Sequence, residues 1–469
     1  MAANQKTRTQ NSPILRFQQG TLILENWDPA LQPEYFLWDP RSRNWRTKGI
    51  YYRDFIEWIE FKGIPFEDRA ANFSSPQLKL RSKLVPRPYQ KEGLAAWLKT
   101  GCRGSITLPT GAGKSFLALT AMEQISQSTL IVLPTLALMN QWHDLLTDAF
   151  GLEVGILGGG YHLLQEITVT TYDSAYLYID QYGDRFAFII FDEVHHLPSP
   201  TYSHIAEMSL APYRLGLTAT YQRPDGLHGM LERLVGPMVY RKTVEDLKGE
   251  HLAEYEIVRL KVELTPEEKA RYEEYQTKYL TFLRDGDIRF YGPDMKRFLQ
   301  QSAYEPAARR ALLARNEARK ISLGAQRKLE ILESLLKQHY QDRVIVFTEN
   351  NDLVYQISKE FLIPALTHKT STKERKRILD KFRQGQYSII ITSKVLNEGV
   401  DVPEANVAII LSGSASPVEY LQRLGRILRK KTGKRALLYE VVTRRTKETN
   451  ISYRRRKVHA AHRASPLPY

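Results

Sequence analysis

"FIIFDEVHHLPS", residues 188–199, runs from four bulky apolar residues straight into two carboxylates and two imidazoles. The apolar run reads as a buried strand, and Asp192, Glu193, His195 and His196 fall at its end. Three chemistries compete for such an end: a zinc site, a buried salt-bridge cluster, or the magnesium side of a nucleotide site. Zinc is the weakest of them. The H-E-x-x-H spacing is absent, two adjacent histidines tend to point apart, and no cysteine is near. The rest of the chain separates the other two.

The stretch that decides is "SITLPTGAGKSFLALTAM", residues 105–122, an apolar run, a glycine-rich turn and a helical pattern. Leu108 stands where the strict phosphate-loop pattern begins with glycine. The remainder keeps what the chemistry uses. Gly111 and Gly113 let backbone N–H groups curl around phosphate oxygens, and the helix start adds its positive end. Lys114 can reach the outer phosphates, and the Ser115 hydroxyl can bind magnesium. Pro109, Thr110, Gly111, Ala112, Gly113, Lys114 and Ser115 are therefore the candidate nucleotide contacts. In a parallel sheet ligands sit at the carboxyl ends of strands. Asp192 then holds magnesium through its water shell, and Glu193 orients and deprotonates a water. His195 is expected to hydrogen-bond toward "TAT" or the second block, and His196 reads equally as packing.

Working outward, "GSITLP", "TLIVLP", "ITVTTY", "FAFIIFDE" and "YRLGLTAT" alternate with helical segments, the signature of a parallel sheet flanked by helices. A second alternating block carries "RVIVFT", "YSIIITS", "NVAIILS" and "RALLYEVV". Before the first block, "ILRFQQGTLILENW" reads as a hairpin and "YYRDFIEWIEFKGI" as a helix ending at Gly63. Between the blocks lies a charged, helix-rich stretch. The chain divides into 1–80, 81–255, 256–325, 326–445 and a basic tail, 446–469. The fold class is α/β: two doubly wound parallel-sheet domains with a small N-terminal α+β module and a helical insertion.

The net charge of +15 favours a polyanionic partner, nucleic acid before acidic membrane. One cysteine, Cys102, excludes an internal disulfide and any multi-cysteine zinc site. The start has no signal-like core, and no apolar run approaches the ~18–20 residues that cross a bilayer. A cytoplasmic protein, with no membrane association, is expected.

Further motifs join the set. Thr218 and Thr220 bracket Ala219 at a strand end, where hydroxyls can link nucleotide state to a nucleic-acid track. "EYLQRLGRILRK" reads as a helix on which Gln422, Arg426 and Arg429 recur at helical spacing, with Arg423 alongside. Its bland reading is a basic face toward solvent or nucleic acid. Its catalytic reading is guanidinium groups reaching phosphates held by the other block. Asp401 in "SKVLNEGVDVPEANV" can accept from a ribose or orient an arginine, and Arg87 and Gln90 in "PRPYQ" can read adenine.

In chain order, "PRPYQ", "LPTGAGKS", "VLPTLALMNQW", "TTYDSA", "DEVHH", "LTAT", "VIVFT", "SKVLNEGVDVP" and "QRLGRILR" resemble the motifs of superfamily 2 helicases. The whole set closely resembles the xeroderma pigmentosum group B family of DNA helicases in its short prokaryotic form. The resemblance implies two RecA-like domains with ATP, assisted by Mg2+, hydrolysed in the cleft between them. It implies DNA-dependent ATPase activity and 3′ to 5′ movement on duplex, bubble or damaged DNA. It makes 1–80 similar to a damage-recognition domain and 256–325 similar to a DNA-gripping thumb. It also implies work beside a repair nuclease; a monomer is expected. The family carries an Arg-Glu-Asp triplet after "LTAT", associated with opening the duplex. Here the run is Arg223, Pro224 and Asp225, and proline removes a charge and an N–H donor. Duplex translocation with weak unwinding is therefore an alternative expectation. An RNA helicase is another, since "DEVH" occurs there too.

Overall fold

The computed structural model describes residues 12–28, 32–82, 85–223, 225–247, 254–288, 293–393, 405–412, 435–450 and 452. The chain divides into two units, the first ending at Asp246 and the second beginning at Leu247. Each carries its own parallel sheet.

The first unit opens with the small module. Strands β1 (Ile14–Gln18) and β2 (Thr21–Glu25) form the antiparallel hairpin expected from their alternation. Strands β3 (Leu37–Asp39), β4 (Asn44–Lys48) and β5 (Glu67–Arg69) extend it to five strands in the order β3-β4-β2-β1-β5. Helix α1 (Tyr52–Phe61) turns Phe55 and Ile59, four apart, onto one face. They pack with Leu15, Leu22 and Leu24, and Leu210 from beyond the module completes this core.

That shared core is one of several anchors. A Cβ on Gly49 would lie 2.6 Å from the Met208 carbonyl oxygen, so only glycine allows this approach. Lys48 Nζ donates to Glu207 Oε2 at 2.9 Å, and Arg233 donates to Glu207 Oε1 at 2.7 Å. Arg53 donates to the Gly101 carbonyl at 2.6 Å.

The body of the unit follows in chain order: α2 (Pro88–Lys99), β6 (Arg103–Thr107), α3 (Lys114–Ile125), β7 (Thr129–Leu133), α4 (Leu136–Phe150), β8 (Val154–Gly158), β9 (Tyr161–Leu163), β10 (Ile167–Thr171), α5 (Tyr172–Tyr182), β11 (Phe188–Asp192), α6 (Ser203–Met208), β12 (Tyr213–Thr218), α7 (Met230–Leu234), β13 (Met238–Arg241) and α8 (Val244–Leu247). The sheet order is β13-β6-β12-β11-β7-β10-β8-β9, parallel except at β9. All five strands expected here form. Burial on both faces gives β7 and β11 their long apolar runs, while β6, β10 and β12 bury Ser105, Thr107, Thr168, Thr170 and Arg214 among theirs. β8, β9 and β13 carry glycines or sit half-exposed at the edges, so their pattern is weak.

The parallel direction sets the module and the phosphate loop at opposite rims. Module contacts meet residues just before strands: Gly101 before β6, Ser128 before β7, Asp184 before β11 and Pro212 before β12. The loop at 108–113 follows β6, and Asp192 and Thr218 end β11 and β12.

The second unit contains β14 (Glu254–Val262), α9 (Pro266–Asp285), α10 (Pro293–Gln301), α11 (Pro306–Leu323), α12 (Gln326–Gln338), β15 (Val344–Phe347), α13 (Asn351–Phe361), β16 (Ala365–Leu366), α14 (Thr372–Arg383), β17 (Ile389–Thr392), β18 (Val407–Ile410) and β19 (Arg435–Thr443). Its sheet order is β14-β19-β18-β15-β17-β16. β14 pairs with β19 along its whole length, so 254–262 belongs to this sheet rather than to the helical insertion expected to begin at 256. An edge strand with Glu256, Arg259 and Lys261 on it lacks the apolar run of a central one. Helices α9, α10 and α11 share a small core of Tyr279, Leu283, Phe298, Ala308, Ala311 and Ala314. Under the sheet end, Lys328 and Glu448 form a buried ion pair at 2.7 Å, and Lys328 also donates to the Leu411 carbonyl.

Among the described residues, no helix is long and apolar enough to cross a membrane. Asp401, Gln422, Arg423, Arg426, Arg429, Pro224 and most of the basic tail lie outside the described residues.

Candidate active site

The loop after β6 delivers Lys114 to the first position of α3. Gly113, the residue before it, holds φ 80°, a left-handed value that favours glycine, and a Cβ there would meet the Gln90 amide nitrogen at 2.5 Å. Gln90 is buried and uses both ends of its amide. Its nitrogen donates to the Ala112 and Gly113 carbonyls at 3.2 and 3.1 Å, and its oxygen accepts from Arg87 N at 2.9 Å. Tyr89 donates to the Ala112 carbonyl at 2.7 Å and lies 3.3 Å from an Arg87 guanidinium nitrogen. The "PRPYQ" segment thus braces the phosphate loop from behind. The adenine-reading role expected of Gln90 meets an amide already engaged with backbone.

Lys114 Nζ lies 3.4 Å from the Leu108 carbonyl and 3.8 Å from Glu193 Oε1, a loose pairing for a nearly buried ammonium. Ser115 is the next residue of α3. The Thr110 hydroxyl, inside the loop, is buried with no hydrogen-bond partner among the described residues. A cradle of backbone, a weakly paired lysine and an orphaned hydroxyl fit a bound phosphate chain.

Across the rim, Asp192 closes β11 and is 6% exposed. One carboxylate oxygen accepts from Glu193 N at 3.0 Å, the other from Trp142 Nε1 at 3.1 Å. Burial, then the Glu193 charge beside it, push Asp192 up to about 6, against the pull of Lys114. A divalent cation reverses that balance, which is the chemistry a magnesium carrier needs. Among the described residues no cluster of three or more His, Cys, Asp or Glu is placed to hold a metal ion by itself.

Glu193 sits in the left-handed region at φ 49°. Burial alone would raise its carboxyl, yet the Lys114 ammonium and His195 outweigh burial and hold it below the usual carboxylate range. It is therefore ionised, and its proton affinity stays low while Lys114 is beside it. His195 Nδ1 lies 3.1 Å from Thr218 Oγ1 and 3.4 Å from Glu193 Oε2, and the Thr218 hydroxyl lies 3.4 Å from the same oxygen. Thr218 also accepts from Thr220 N at 3.0 Å. Glu193, His195 and the "TAT" turn form one hydrogen-bonded cluster, and "TAT" is one of the two partners expected of His195. His196 packs its ring against Tyr172, 5.8 Å between centroids. Arg223 makes a two-pronged pair with Asp225, at 3.0 and 2.6 Å, and donates to the His195 carbonyl.

Three contributors were not singled out from sequence: Tyr89, Trp142 and Tyr172. All lie inside quoted motifs, and the available signal is that a buried tryptophan or tyrosine needs a partner for its polar atom.

A glycine-lined phosphate cradle facing two strand-end carboxylates, on a parallel sheet followed by a second one, defines a nucleoside triphosphatase of the helicase class. Residues 83–223 match the family model of the type III restriction enzyme res subunit, and 327–431 that of the helicase conserved C-terminal domain. A solved structure of the same fold, the helicase domain of Hef from Pyrococcus furiosus, aligns over 80% of this chain and 99% of its own at TM-score 0.51 and 19% identity. Residues 15–70 match the damage recognition domain of xeroderma pigmentosum group B helicase. The chain is 43% identical, over 94% of its length and 99% of the relative's, to a Sulfurisphaera tokodaii protein named DNA 3'-5' translocase XPB2. It is 30% identical to proteins named DNA 3'-5' helicase XPB from Kineococcus radiotolerans and Mycobacterium tuberculosis, over 79% of its length in each case, and spans 62% and 63% of theirs. The chain belongs to the XPB family of helicases.

Proposed function

We propose that this protein is an ATP-driven DNA translocase and helicase of the XPB type, moving 3′ to 5′. The observation that carries the reading is the single rim on which Lys114, Asp192, Glu193, His195 and Thr218 converge. Lys114 exchanges its loose contacts with Leu108 and Glu193 for the outer phosphates, while backbone N–H groups of 111–113 hold the inner ones. Released from Lys114, Glu193 takes a proton from water as its oxygen attacks the γ phosphorus and the bond to the bridging oxygen breaks, leaving ADP and phosphate. A magnesium ion bound with the nucleotide supplies positive charge to the phosphate oxygens, and Ser115 and Asp192 are the residues that would hold it. His195 and Thr218 fix the Glu193 carboxylate and pass its state to the turn at 218–220.

From sequence alone, Gln422, Arg426, Arg429 and Asp401 are assigned to the same nucleotide, with Arg426 and Arg429 stabilising transfer, and Arg423 is assigned to coupling with His195, Thr218 and Thr220. The module at 1–80 takes the damage-sensing role, helices α9, α10 and α11 the DNA-gripping role, and a repair nuclease is the expected protein partner. A duplex translocase with weak unwinding is the second reading. The Arg223–Asp225 pair with proline between them favours it, because the middle acid is missing.

The test is ATPase activity with single-stranded, duplex and bubble DNA, and with RNA, beside a strand-displacement assay. DNA stimulation that Lys114→Ala abolishes supports the reading, as does Glu193→Gln that binds ATP yet hydrolyses it very slowly. Ordinary turnover by Lys114→Ala refutes the phosphate-loop assignment, and normal turnover by Arg426→Ala removes the arginine role. Stimulation by RNA alone shifts the substrate.

A further inference from the structure

The acid pair is held by two aromatic side chains that the hydrolytic cycle above does not use. Trp142 lies on α4, is 2% exposed, and donates its indole N–H to Asp192 Oδ2 at 3.1 Å. Tyr172 opens α5, is equally buried, and donates its hydroxyl to the Asp192 carbonyl at 3.1 Å and the Glu193 carbonyl at 3.5 Å. Burial, then the Asp192 and Glu193 charges, raise Tyr172 well above its ordinary range, so it remains a donor.

A carboxylate offers about four acceptor positions. Glu193 N takes one on Oδ1 and Trp142 takes one on Oδ2, which fixes the plane of the group and leaves one position per oxygen. An indole N–H is a donor only and cannot rotate away inside a packed helix face. We infer that Trp142 is a positioning residue of the hydrolytic site: it sets the Asp192 carboxylate in the orientation that carries the metal's water shell. Tyr172 does the corresponding work on the backbone, bracing the Asp192–Glu193 link where Glu193 holds its left-handed conformation. The inference rests on Asp192 as the metal-carrying acid. Trp142 touches no substrate, so its removal changes the rate and the magnesium requirement rather than nucleotide recognition.

The experiment compares wild type with Trp142→Phe, and with a protein in which residue 142 carries the benzothiophene isostere of tryptophan, which keeps ring shape and loses the N–H. Thermal melting reports the fold. Steady-state kinetics separate kcat from KM, magnesium is titrated in the same assay, and calorimetry measures ADP binding with and without magnesium. Expected for both variants is kcat lowered by about 10- to 100-fold. The half-saturating magnesium concentration rises, KM for ATP stays put, and metal-free ADP binding is unchanged. Should Trp142→Phe melt far below wild type, the isostere decides. Normal kcat and normal magnesium dependence in the isostere overturn the inference, and so does a raised KM at normal kcat. If wild type itself lacks ATPase, the hydrolytic reading fails, while the calorimetric magnesium effect still tests the Trp142–Asp192 link.

Discussion

At the scale of single residues, Asp192 and Glu193 are neighbours with opposite fates. Burial and an adjacent negative charge push Asp192 up to about 6, while Lys114 and His195 keep Glu193 ionised. A raised acid takes up its proton as pH falls through that value, and a protonated carboxyl releases a metal's water shell. The half-saturating magnesium concentration for ATPase should therefore be flat above about pH 7 and climb roughly tenfold per unit below about 6. Magnesium titrations across that range check the sign, and a requirement that eases toward acid would contradict it. These acids, Lys114 and Thr218 were legible in sequence because chemistry fixes residue type at a fixed spacing. Trp142 and Tyr172 were not. An aromatic in an amphipathic helix reads as core, and only packing reveals what its polar atom touches.

Elements tell a parallel story. The five strands expected in the first sheet form, and burial on both faces leaves them apolar or β-branched at most positions. β14 was missed because an edge strand needs only alternate apolar residues, and its charges read as the start of the charged helical insertion. Two element-level contacts make measurable claims. Gly49→Ala forces a Cβ against the Met208 backbone, an overpacking cost of about 1–3 kcal/mol. Thermal melting should fall accordingly, and the module should become the first segment cut in limited proteolysis. In the second unit, Lys328→Met leaves Glu448 buried without its cation and should cost about 3–5 kcal/mol. The double variant Lys328→Met/Glu448→Leu should recover much of that loss in denaturant melts, because a buried pair stabilises little beyond an apolar replacement.

For the whole molecule, the charge of +15 favours a polyanionic partner, and the proposed DNA track is one whose backbone such a charge would meet. DNA affinity should show little sequence preference. It should weaken by about a thousandfold between roughly 50 and 200 mM salt if about six phosphates are contacted. Fluorescence anisotropy across that range measures the slope. Pro224→Glu restores the middle acid between Arg223 and Asp225, and strand displacement should rise more than ATPase; equal gains would show that the triplet acts on hydrolysis alone.

The module and the phosphate loop occupy opposite rims of the same parallel strands. Five residues of extended chain separate the rims by about 17 Å. The module's packing face and the phosphate loop therefore do not share one volume. A substitution that reshapes the module's side of the strands is separated from the nucleotide end by the full length of the sheet.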